Sequence, residues 1–436
     1  MKNVRLRALK AITDVFNHKE FTKEAVEKYS FNLSEIDRGF LKELVYGVIR
    51  YRDTLDWDLK KFLERPQGLN QVTLNNLRLA VYQLRFTRAA NYAVVNEAVE
   101  MEKVKGKPAL VNGVLRNYIR ADIVPIPDDN IAISTSHPQW LIDRWIERFG
   151  WKRASQLSSA NNIITPMTLR AHGNRKEVSD ILNEYKIKHE FTQISPDGIR
   201  LKDSISINRL GMLKCRFFIQ DEAAQLASYL ICPQKGEDIL DACSAPGGKA
   251  THIAEITDDL ANILAIDQSE KRINKIKDNI KTLKINSIKT LCTDILHMDL
   301  AQRFDKILLD PPCSSTGVIR KNPDVKYRIS RENLRTNSVS QVSLLAKVSR
   351  YLKNGGLLLY CVCSTEPEEG EDVINMFLHK NSEFYIINVT NIVMERFGID
   401  LRTLQEGAGC VDYYRTFPDI NNTDGFFFCV LGKKMI

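Results

Sequence analysis

The spacing of the apolar residues changes twice along this chain of 436 residues, and that change limits what it can fold into. From Val4 to Arg120 apolar residues recur every three to four positions, which predicts amphipathic helices. Pro125 and Pro127 then interrupt the pattern, because two prolines so close together cannot continue a helix. We therefore expect an all-helical first domain that spans residues 1–125.

Residues 126–235 mix short helical and strand-like stretches. The helical stretches cover residues 140–149 and 176–185, and the strand-like stretches cover residues 167–171, 198–201 and 216–220. This mixture is typical of a small α+β domain.

From residue 236 to residue 436 apolar strands alternate with amphipathic helices. The predicted strands cover residues 238–241, 263–267, 306–310 and 357–363, and the predicted helices begin at Lys249 or cover residues 271–283 and 333–352. Such alternation predicts a doubly wound, mainly parallel sheet of the Rossmann-like type. The chain as a whole is therefore expected to be a multidomain protein with an all-α, an α+β and an α/β part.

The net charge of +8 is unevenly distributed. Residues 1–235 carry a net charge of +10, and residues 236–436 carry −2. An excess of this size favours a polyanionic partner such as RNA, but it is also ordinary for a protein surface, so charge alone leaves both interpretations open.

The mean hydropathy of −0.26 and the short apolar runs predict no membrane span. The amino-terminal residues show no pattern of a secretory or import signal, so we expect a cytoplasmic protein without membrane contact.

All nine cysteines lie after residue 214, and no two of them are spaced as C-x-x-C. The odd count argues against a disulfide framework, and the spacing argues against a structural zinc site. We therefore expect reduced thiols, no bound metal, and mostly buried packing roles. The cysteines are Cys215, Cys232, Cys243, Cys292, Cys313, Cys361, Cys363, Cys410 and Cys429.

The first predicted α/β strand ends in the glycine loop Asp241 to Lys249, with the sequence DACSAPGGK. Gly247 and Gly248 would let the backbone turn sharply and approach a ligand where the next helix starts. The loop fits neither a Walker A motif nor G-x-G-x-x-G. The second strand ends at Asp267, which either binds a ribose or caps the following helix. A glycine loop with such an acidic residue favours a cofactor that contains a nucleoside.

Two further strand ends each present a thiol, Cys313 in the sequence DPPC and Cys363 in the sequence CVCS. A buried structural cysteine is the usual role for either residue alone. Two thiols beside Asp310 at the strand ends of a nucleoside-binding sheet favour a chemical role instead.

The combination DACSAPGGK, AIDQS, ILLDPPCSSTGVIR, CVCSTEPEE and DGFF resembles the RNA 5-methylcytosine methyltransferases, which use S-adenosylmethionine. The stretches ELVYGVIR, NYAVVNEAVE and VNGVLRN resemble the NusB-type helical domain. With IQDEAAQLAS between them, this order is similar to members that modify 16S ribosomal RNA. The chain departs from the usual pattern at Val362, where threonine is common, and at Pro311, where alanine is common.

The resemblance implies that Cys363 adds to C6 of a cytosine and that Cys313 assists when the C5 proton leaves. From residue types alone, Cys313 remains an alternative nucleophile. The resemblance also implies that Asp310 contacts the N3/N4 edge of the base. The implied cofactor contacts are Cys243, Ser244, Ala245, Pro246, Gly247, Gly248 and Lys249, then Asp267 at the ribose, Asp294 near the adenine and Asp310 near the methionine end. Cys243 is also expected to pack in its loop.

A basic run follows Cys313 and is expected to contact RNA phosphates, with an ordinary solvated loop as the alternative. It consists of Arg320, Lys321, Lys326, Arg328, Arg331 and Arg335.

Three hypotheses are therefore open at the level of sequence: a monomeric methyltransferase of 16S ribosomal RNA, a methyltransferase of transfer RNA, and a noncatalytic RNA-binding protein.

Overall fold

A computed structural model describes residues 3–63, 68–103, 106–121, 125–127, 129–203, 205–213, 216–404 and 413–435. Cys215 and Cys410 lie outside this range. The chain divides into two compact units. Unit 1 contains residues 1–164 and 319–328, and unit 2 contains residues 165–318 and 329–436.

Unit 1 is helical, as the apolar spacing predicts. Its first ten helices are α1 (Val4–Asn17), α2 (Thr22–Tyr29), α3 (Glu35–Arg50), α4 (Arg52–Lys60), α5 (Gln71–Phe86), α6 (Asn91–Glu102), α7 (Pro108–Arg120), α8 (Ile131–Ser134), α9 (Gln139–Phe149) and α10 (Trp151–Ala160). Helix α5 is the central helix, because every residue from Thr73 to Gln83 is buried. A helix that is buried on all sides has neighbours all round it, and α5 packs against α1, α3, α4, α6 and α7.

The expected end of the first domain at residue 125 differs from the end of unit 1. The stretch after the prolines stays with the preceding helices, because Thr54 donates a hydrogen bond to the carbonyl oxygen of Ile133 (2.6 Å). In the same region the Asp53 amide donates to Ser136 Oγ (2.8 Å). Pro125 and Pro127 therefore interrupt the helices without ending the compact unit.

The smaller sheet of unit 2 has four antiparallel strands in the order β2-β3-β1-β4. Its strands are β1 (Thr168–Ala171), β2 (His189–Phe191), β3 (Gly198–Leu201) and β4 (Phe217–Ile219), and its helices are α11 (Arg175–Glu184) and α12 (Ile207–Gly211). The sequence predicts β1, β3, β4 and α11. It misses β2, a three-residue strand with one apolar residue. The boundary expected at residue 235 is not a division between compact units, since the small sheet belongs to unit 2.

The larger sheet of unit 2 has the strand order β10-β12-β9-β8-β5-β6-β7, and β11 pairs with β12. Its strands are β5 (Asp238–Ala242), β6 (Asn262–Asp267), β7 (Ile288–Cys292), β8 (Phe304–Leu309), β9 (Leu352–Val362), β10 (Phe384–Ile386), β11 (Tyr414–Thr416) and β12 (Phe426–Lys433). The helices are α13 (Glu222–Leu230), α14 (Gly248–Ile256), α15 (Glu270–Leu283), α17 (Arg331–Ser349), α18 (Glu371–Lys380), α19 (Thr390–Phe397) and α20 (Pro418–Asn421), while α16 (Val325–Arg328) belongs to unit 1.

Strands β5 to β9 are parallel, and β12 pairs antiparallel with β9, β10 and β11. The order places β5 between β6 and β8, which is the position where the chain changes direction across the sheet. Ligands bind at the carboxyl ends of strands beside such a position. The predicted Rossmann-like, mainly parallel sheet is confirmed.

Both faces of the larger sheet are covered by apolar side chains. Ile239 and Leu240, which are adjacent on β5, belong to two different core clusters, and Leu358 and Leu359 on β9 do the same. Successive strand residues point to opposite faces, so each cluster lies on one face. A sheet buried on both faces reads as continuous apolar runs, which is why these strands are visible in the sequence.

Some predicted bounds are wrong. Helix α17 ends at Ser349, before the predicted residue 352, and β9 already begins at Leu352. The early start includes Gly355 and Gly356, which do not resemble a strand in the sequence. The predicted strands include neither β7 nor β12. No helix in the described part of the chain has the length and apolarity of a membrane span.

Candidate active site

The glycine loop connects β5 to α14 at the carboxyl edge of the larger sheet. Gly247 has a φ of +93° and immediately precedes α14, so a side chain there would be strained. A Cβ atom on Gly247 would also lie 3.0 Å from Ile276 Cγ2. Cys243 adopts a positive φ of 64°, and burial raises the pKa of its thiol to about 12. Cys243 therefore packs in the loop as a neutral thiol.

Asp241, at the start of the loop, is a buried carboxyl group. Its Oδ2 accepts a hydrogen bond from Ser244 Oγ (2.7 Å), whereas its Oδ1 has no hydrogen-bond partner among the described residues. Burial raises the pKa of Asp241 to about 7, although the Ser244 hydrogen bond and Lys249 act against that shift. An unsatisfied buried oxygen beside a glycine loop is suited to a donor or a positive charge on a bound ligand.

Asp267 ends β6 and is 3% exposed. Its Oδ1 accepts from the Ser269 amide (3.0 Å), and its Oδ2 lies 3.4 Å from the Ala245 amide. Ser269 is the residue that precedes α15, so Asp267 supports the start of that helix without being its N-cap. The same carboxylate also contacts the glycine loop through the Ala245 amide. The structure therefore does not make Asp267 the N-cap of α15, and its contact with a ribose stays a prediction.

Asp294 follows β7, which pairs with β6 so that Cys292 lies opposite Asp267. Its carboxylate accepts from the Leu296 amide (3.0 Å) and contacts His297 Nδ1 (2.8 Å). The His297 contact lowers the pKa of Asp294 below its ordinary value, so the carboxyl group is ionised at neutral pH. The Asp294 side chain is more exposed to solvent than the side chains of Asp267 and Asp310.

Asp310 follows β8 and forms an ion pair with Lys249, the last residue of the glycine loop. The Lys249 side chain is mostly buried, which by itself would lower the pKa of its ammonium, but the Asp310 carboxylate outweighs burial and raises that pKa. Lys249 Nζ also lies 5.7 Å from the Phe426 ring centroid. Lys249 is expected from the sequence only among the cofactor contacts, and its ion pair with Asp310 is not predicted. The pairing arises because β5 and β8 are adjacent parallel strands.

The two predicted thiols lie together. Cys313 Sγ is 3.3 Å from Cys363 Sγ, and Cys363 Sγ is 3.6 Å from Ser315 Oγ. Both cysteines are partly accessible, whereas Cys361 is fully buried. The pKa of Cys313 is raised well above its ordinary value, first by the hydrogen bond with Cys363, then by burial and by the negative charges of Cys363, Glu369 and Asp310. These effects favour the neutral thiol form of Cys313.

Hydrogen bonds join the segments that follow the two thiols. The Gly317 amide donates to the Cys363 carbonyl oxygen (3.0 Å), and the Thr365 amide donates to Thr316 Oγ1 (2.9 Å). The Gly425 amide donates to the Gly317 carbonyl oxygen (2.8 Å). A Cβ atom on Gly317 would meet the Gly425 backbone at 1.9 Å. Gly317 therefore permits this close contact with Gly425 of the DGFF stretch, and a Cβ atom on Gly425 would in turn lie 2.9 Å from Gly317 Cα.

A side chain of the smaller sheet contacts the glycine loop, and this contact is not predicted from the sequence. Arg170, on β1, is fully buried and donates to the Gly248 carbonyl oxygen (2.6 Å) and to Thr251 Oγ1 (3.0 Å). It also pairs with Glu255 on α14 at 2.9 Å. An arginine within an apolar strand (TLRA) is the signal that could have identified it, because such a charge is buried only where partners exist.

The expectation for the basic run is wrong for several members. Lys326 is completely buried in unit 1, where its Nζ donates to the Arg50 carbonyl oxygen (2.8 Å). Arg320 is 3% exposed, and the Arg50 guanidinium donates to its carbonyl oxygen (3.0 Å). Arg328 donates to the Lys19 carbonyl oxygen (2.8 Å) and pairs with Asp324 (2.7 Å). These contacts hold residues 319–328 in the helical unit, so Lys326 and Arg328 are not free for phosphate contact, and Arg320 is too buried for it. Arg331 and Arg335 are exposed on α17.

No group of three or more His, Cys, Asp or Glu side chains in the described residues is arranged to hold a metal ion.

Comparison with known proteins agrees with this geometry. Three family models match the chain: the NusB family over residues 2–120, a ferredoxin-like domain of RsmF/B-type methyltransferases over residues 137–208, and the 16S rRNA methyltransferase RsmB/F over residues 228–432. Ribosomal RNA small subunit methyltransferase B from Yersinia pseudotuberculosis serotype O:1b is 32% identical to this chain. That match covers 99% of each chain, and the same values hold for the protein from Yersinia pestis.

The chain belongs to the RsmB/F methyltransferase family.

Solved structures agree with this fold. PH0851 superimposes with a TM-score of 0.80 at 24% identity and covers 99% of both chains. A methyltransferase homologue from Pyrococcus horikoshii gives a TM-score of 0.59 at 26% identity and covers 71% of this chain and all of its own length. NSun6 from the same organism, solved with SFG, has a TM-score of 0.59 at 18% identity, with coverage of 69% and 99%.

As an RsmB/F methyltransferase, the protein uses S-adenosylmethionine as its methyl donor. The residues at the carboxyl edge fit such a group, because the unsatisfied Oδ1 of Asp241 offers an acceptor beside a loop whose glycines leave space. Asp241, Asp267 and Asp310 surround the loop with carboxyl groups, and S-adenosylmethionine carries a positive sulfonium. The domain order NusB-like, ferredoxin-like and Rossmann-like is likewise confirmed.

Proposed function

We propose that this protein methylates C5 of a specific cytosine in 16S ribosomal RNA, with Cys363 as the nucleophile. C5 of cytosine is a poor nucleophile, so a thiolate must first add to C6, which makes C5 electron-rich enough to accept a methyl group. S-adenosylmethionine supplies that methyl group as an electrophilic carbon on sulfur. The remaining chemistry falls to the side chains at the carboxyl edge of the sheet.

The observation that carries this proposal is the pair of partly accessible thiols beside the Asp310–Lys249 ion pair. A reaction that first attaches the enzyme to the base and later removes it needs one group to add and another to assist departure. A protein that only bound RNA would need neither thiol.

The charges around the thiols favour Cys363 as the nucleophile over Cys313. The neutral thiol form of Cys313 is favoured, because Cys313 shares a hydrogen bond with Cys363, is partly buried and lies near the carboxylates of Glu369 and Asp310. A thiolate on Cys363 would accept a hydrogen bond from the Cys313 thiol across their 3.3 Å separation. Addition by Cys363 with Cys313 as its partner agrees with this arrangement.

Asp310 and Lys249 act on the edge of the base where charge develops. The carboxylate of Asp310 accepts a hydrogen bond from the exocyclic amino group at N4, and the Lys249 ammonium stabilises the negative charge that the ring gains on addition. The two side chains are already paired, so little reorganisation is needed when the base binds.

The release step separates the product from Cys363. A solvent water molecule takes the C5 proton, the electron pair of that C–H bond restores the double bond between C5 and C6, and the bond from C6 to Cys363 Sγ breaks. The Cys313 thiol assists by donating a hydrogen bond to the departing Cys363 thiolate.

Cofactor contacts are assigned by position at the sheet edge. The loop from Cys243 to Lys249 approaches the cofactor through its backbone, with Ser244, Ala245, Pro246, Gly247 and Gly248 between these two residues. Asp267 binds the ribose, Asp294 lies near the adenine, and Asp310 lies near the methionine end.

The helical domain, residues 1–125, holds the RNA substrate. A groove of about 520 Å³ between α6 and α7 is lined by Asn91, Tyr92, Asn96, Asn112, Arg116 and Arg120, among others. Tyr92 is 81% exposed, so its ring is available for base stacking, and the two arginines are available for phosphate contact. The small domain, residues 126–235, positions the RNA toward the catalytic domain, residues 236–436.

The protein acts as a monomer in the cytoplasm, on 16S ribosomal RNA rather than transfer RNA. The test is bisulfite sequencing of ribosomal and transfer RNA from strains with and without the gene. We expect one cytosine in 16S ribosomal RNA to lose its protection from conversion when the gene is deleted. Loss of protection in transfer RNA alone would contradict the substrate assignment, and no loss in either RNA would support the noncatalytic alternative.

A further inference from the structure

Glu369 is a fully buried carboxylate in the short helical turn Pro367–Glu369, which follows strand β9 and Cys363. It accepts hydrogen bonds from the backbone amide of Ser314 (2.7 Å) and from the Ser314 hydroxyl. Ser314 is the residue directly after Cys313. The Glu369 carboxylate therefore links the segment that follows Cys363 to the backbone of the loop that contains Cys313.

Helix α17 completes the environment of this carboxylate. Asn337 Nδ2 donates to Glu369 Oε1 (2.9 Å), and Gln341 Nε2 lies 3.4 Å from the same oxygen. Gln341 Nε2 also donates to the carbonyl oxygen of Pro312 (2.9 Å), the residue before Cys313. The backbone on both sides of Cys313 is thus fixed by two side chains that contact each other.

The buried charge of Glu369 is costly, because none of the described Lys, Arg or His side chains forms an ion pair with it. Packing alone would be served as well by an apolar residue of similar volume. A carboxylate that accepts from a backbone amide forms stronger and more directional hydrogen bonds than a neutral group does. These hydrogen bonds are therefore suited to fix the loop that contains Cys313 in one conformation.

The fixed position of the Cys313 backbone helps to set the distance between the Cys313 and Cys363 sulfur atoms. Cys313 lies between the two fixed backbone groups, and its Sγ is 3.3 Å from Cys363 Sγ. The Glu369 carboxylate also contributes, after the Cys363 hydrogen bond and burial, to the raised pKa of Cys313, together with Asp310. Both the fixed backbone and the raised pKa favour Cys313 as a protonated hydrogen-bond donor to Cys363.

We propose that Glu369 is a positioning residue that holds the Cys313 loop so that Cys313 serves the release of methylated RNA from Cys363. Glu369 itself touches neither substrate nor cofactor and exchanges no proton. This inference rests on the proposed function, because it assigns Glu369 to the second half of that reaction.

The test compares Glu369→Gln with Glu368→Gln, the same chemical change one residue earlier in the same turn. Purified full-length proteins are incubated with S-adenosylmethionine and 16S ribosomal RNA transcript, and two quantities are measured: methyl transfer at multiple turnover, and the fraction of protein attached to RNA on a denaturing gel. For Glu369→Gln we expect a turnover about 10–100 times slower and an accumulated adduct. Glu368→Gln should behave as wild type.

A pH profile separates positioning from a merely structural role. Without the Glu369 charge the pKa of Cys313 falls, so the pH range in which release is fastest should move to lower pH in Glu369→Gln. Binding of S-adenosylmethionine should be unchanged, which serves as the check of folding. If Glu369→Gln does not fold, Ser314→Ala removes the hydroxyl partner alone and should show a smaller accumulation of adduct.

The outcomes distinguish this inference from the proposed function. Suppose that wild type methylates RNA and that Cys313→Ala accumulates an adduct. If Glu369→Gln then releases RNA as wild type does, the proposed role of Glu369 is overturned and the proposed function stands. If Glu369→Gln binds cofactor but forms no adduct at all, Glu369 acts on addition, and the release role is likewise overturned. If wild type transfers no methyl group to cytosine, the proposed function itself fails.

Discussion

The sulfur atoms of Cys313 and Cys363 lie 3.3 Å apart although 50 residues separate them in the sequence. They meet because β8 and β9 are neighbouring parallel strands, with Leu309 opposite Tyr360 near their carboxyl ends. Cys313 then follows β8 by four residues and Cys363 follows β9 directly. The sheet topology therefore creates a two-thiol site that each strand alone would not.

Replacing Cys363 by alanine should abolish methyl transfer, because the group that adds to C6 is removed. Turnover should fall at least about 10⁴-fold, as is found when an enzymatic nucleophile is removed. Methyl incorporation from labelled S-adenosylmethionine measures the effect, and Cys361→Ala, a buried thiol two residues earlier, is the control. Retained methyl transfer in Cys363→Ala would show that another residue is the nucleophile.

Replacing Cys313 by alanine should instead trap the RNA on the protein. Addition and methyl transfer remain possible, but the thiolate departs without its hydrogen-bond donor. A denaturing gel should show a band in which protein and RNA migrate together, dependent on S-adenosylmethionine. Absence of this band, with methyl transfer intact, would exclude the release role of Cys313.

Binding of S-adenosylmethionine should weaken as the pH falls from 8 to 6. Burial raises the pKa of Asp241 to about 7, so its carboxyl group is largely ionised at pH 8 and largely neutral at pH 6. A cationic ligand favours the ionised form, and binding should therefore release a proton below pH 8. Isothermal titration calorimetry in buffers of different ionisation enthalpy measures that proton.

Asp241→Asn is the matched variant for this pH dependence. It cannot ionise, so its affinity should vary less across the same range. The raised pKa also means that the cofactor-free protein loses stability as the pH rises toward 7, and the asparagine variant should lack that slope. Equal pH dependence in both proteins would assign the titration to another group.

The groove between α6 and α7 should contribute to RNA binding. Arg116→Ala combined with Arg120→Ala should weaken binding and reduce the slope of affinity against salt concentration by about 1–2, since up to two phosphate contacts are lost. Lys10→Ala combined with Lys23→Ala, exposed residues on α1 and α2, is the control of equal charge change. An equal loss in both variants would mean that general charge, and not the groove, attracts the RNA.

Lys326 should matter for stability and not for RNA affinity. Replacing it by alanine leaves the Arg50 carbonyl oxygen without its donor and creates a cavity, which should cost about 2–4 kcal/mol of unfolding free energy. All four tryptophans lie in residues 57–151, so their fluorescence during urea unfolding reports on the helical unit. Arg331→Ala, an exposed position, should change stability by less than about 0.5 kcal/mol. If the RNA affinity of Lys326→Ala depended less on salt concentration than that of wild type, Lys326 would have to contact a phosphate, which would contradict its burial.

The parts of the fold that the sequence predicts are those with a strong local pattern. The parallel strands are buried on both faces, so runs such as Leu357 to Cys363 identify them directly. The glycine loop is predictable because Gly247 must adopt a positive φ at the start of α14. Both thiols are predictable because they follow strands whose carboxyl ends share one edge of the sheet.

The parts that the sequence does not predict depend on contacts distant along the chain. Lys326 looks like a solvated residue in a basic run, and only its packing in the helical unit shows that it is buried. Arg170 and Glu369 are single charged residues whose partners lie on other elements. Apart from the apolar strand around Arg170, no local pattern distinguishes these charges, which have buried partners, from charges that face water.

The most direct test of the proposed reaction is to find the protein atom that joins the RNA. Full-length Cys313→Ala is incubated with 16S ribosomal RNA and S-adenosylmethionine, the denatured adduct is digested with protease and nuclease, and the peptides are sequenced by mass spectrometry. We predict a methylated cytidine nucleotide attached to Cys363. Attachment at any other residue, or a nucleotide other than cytidine, would contradict the proposed mechanism.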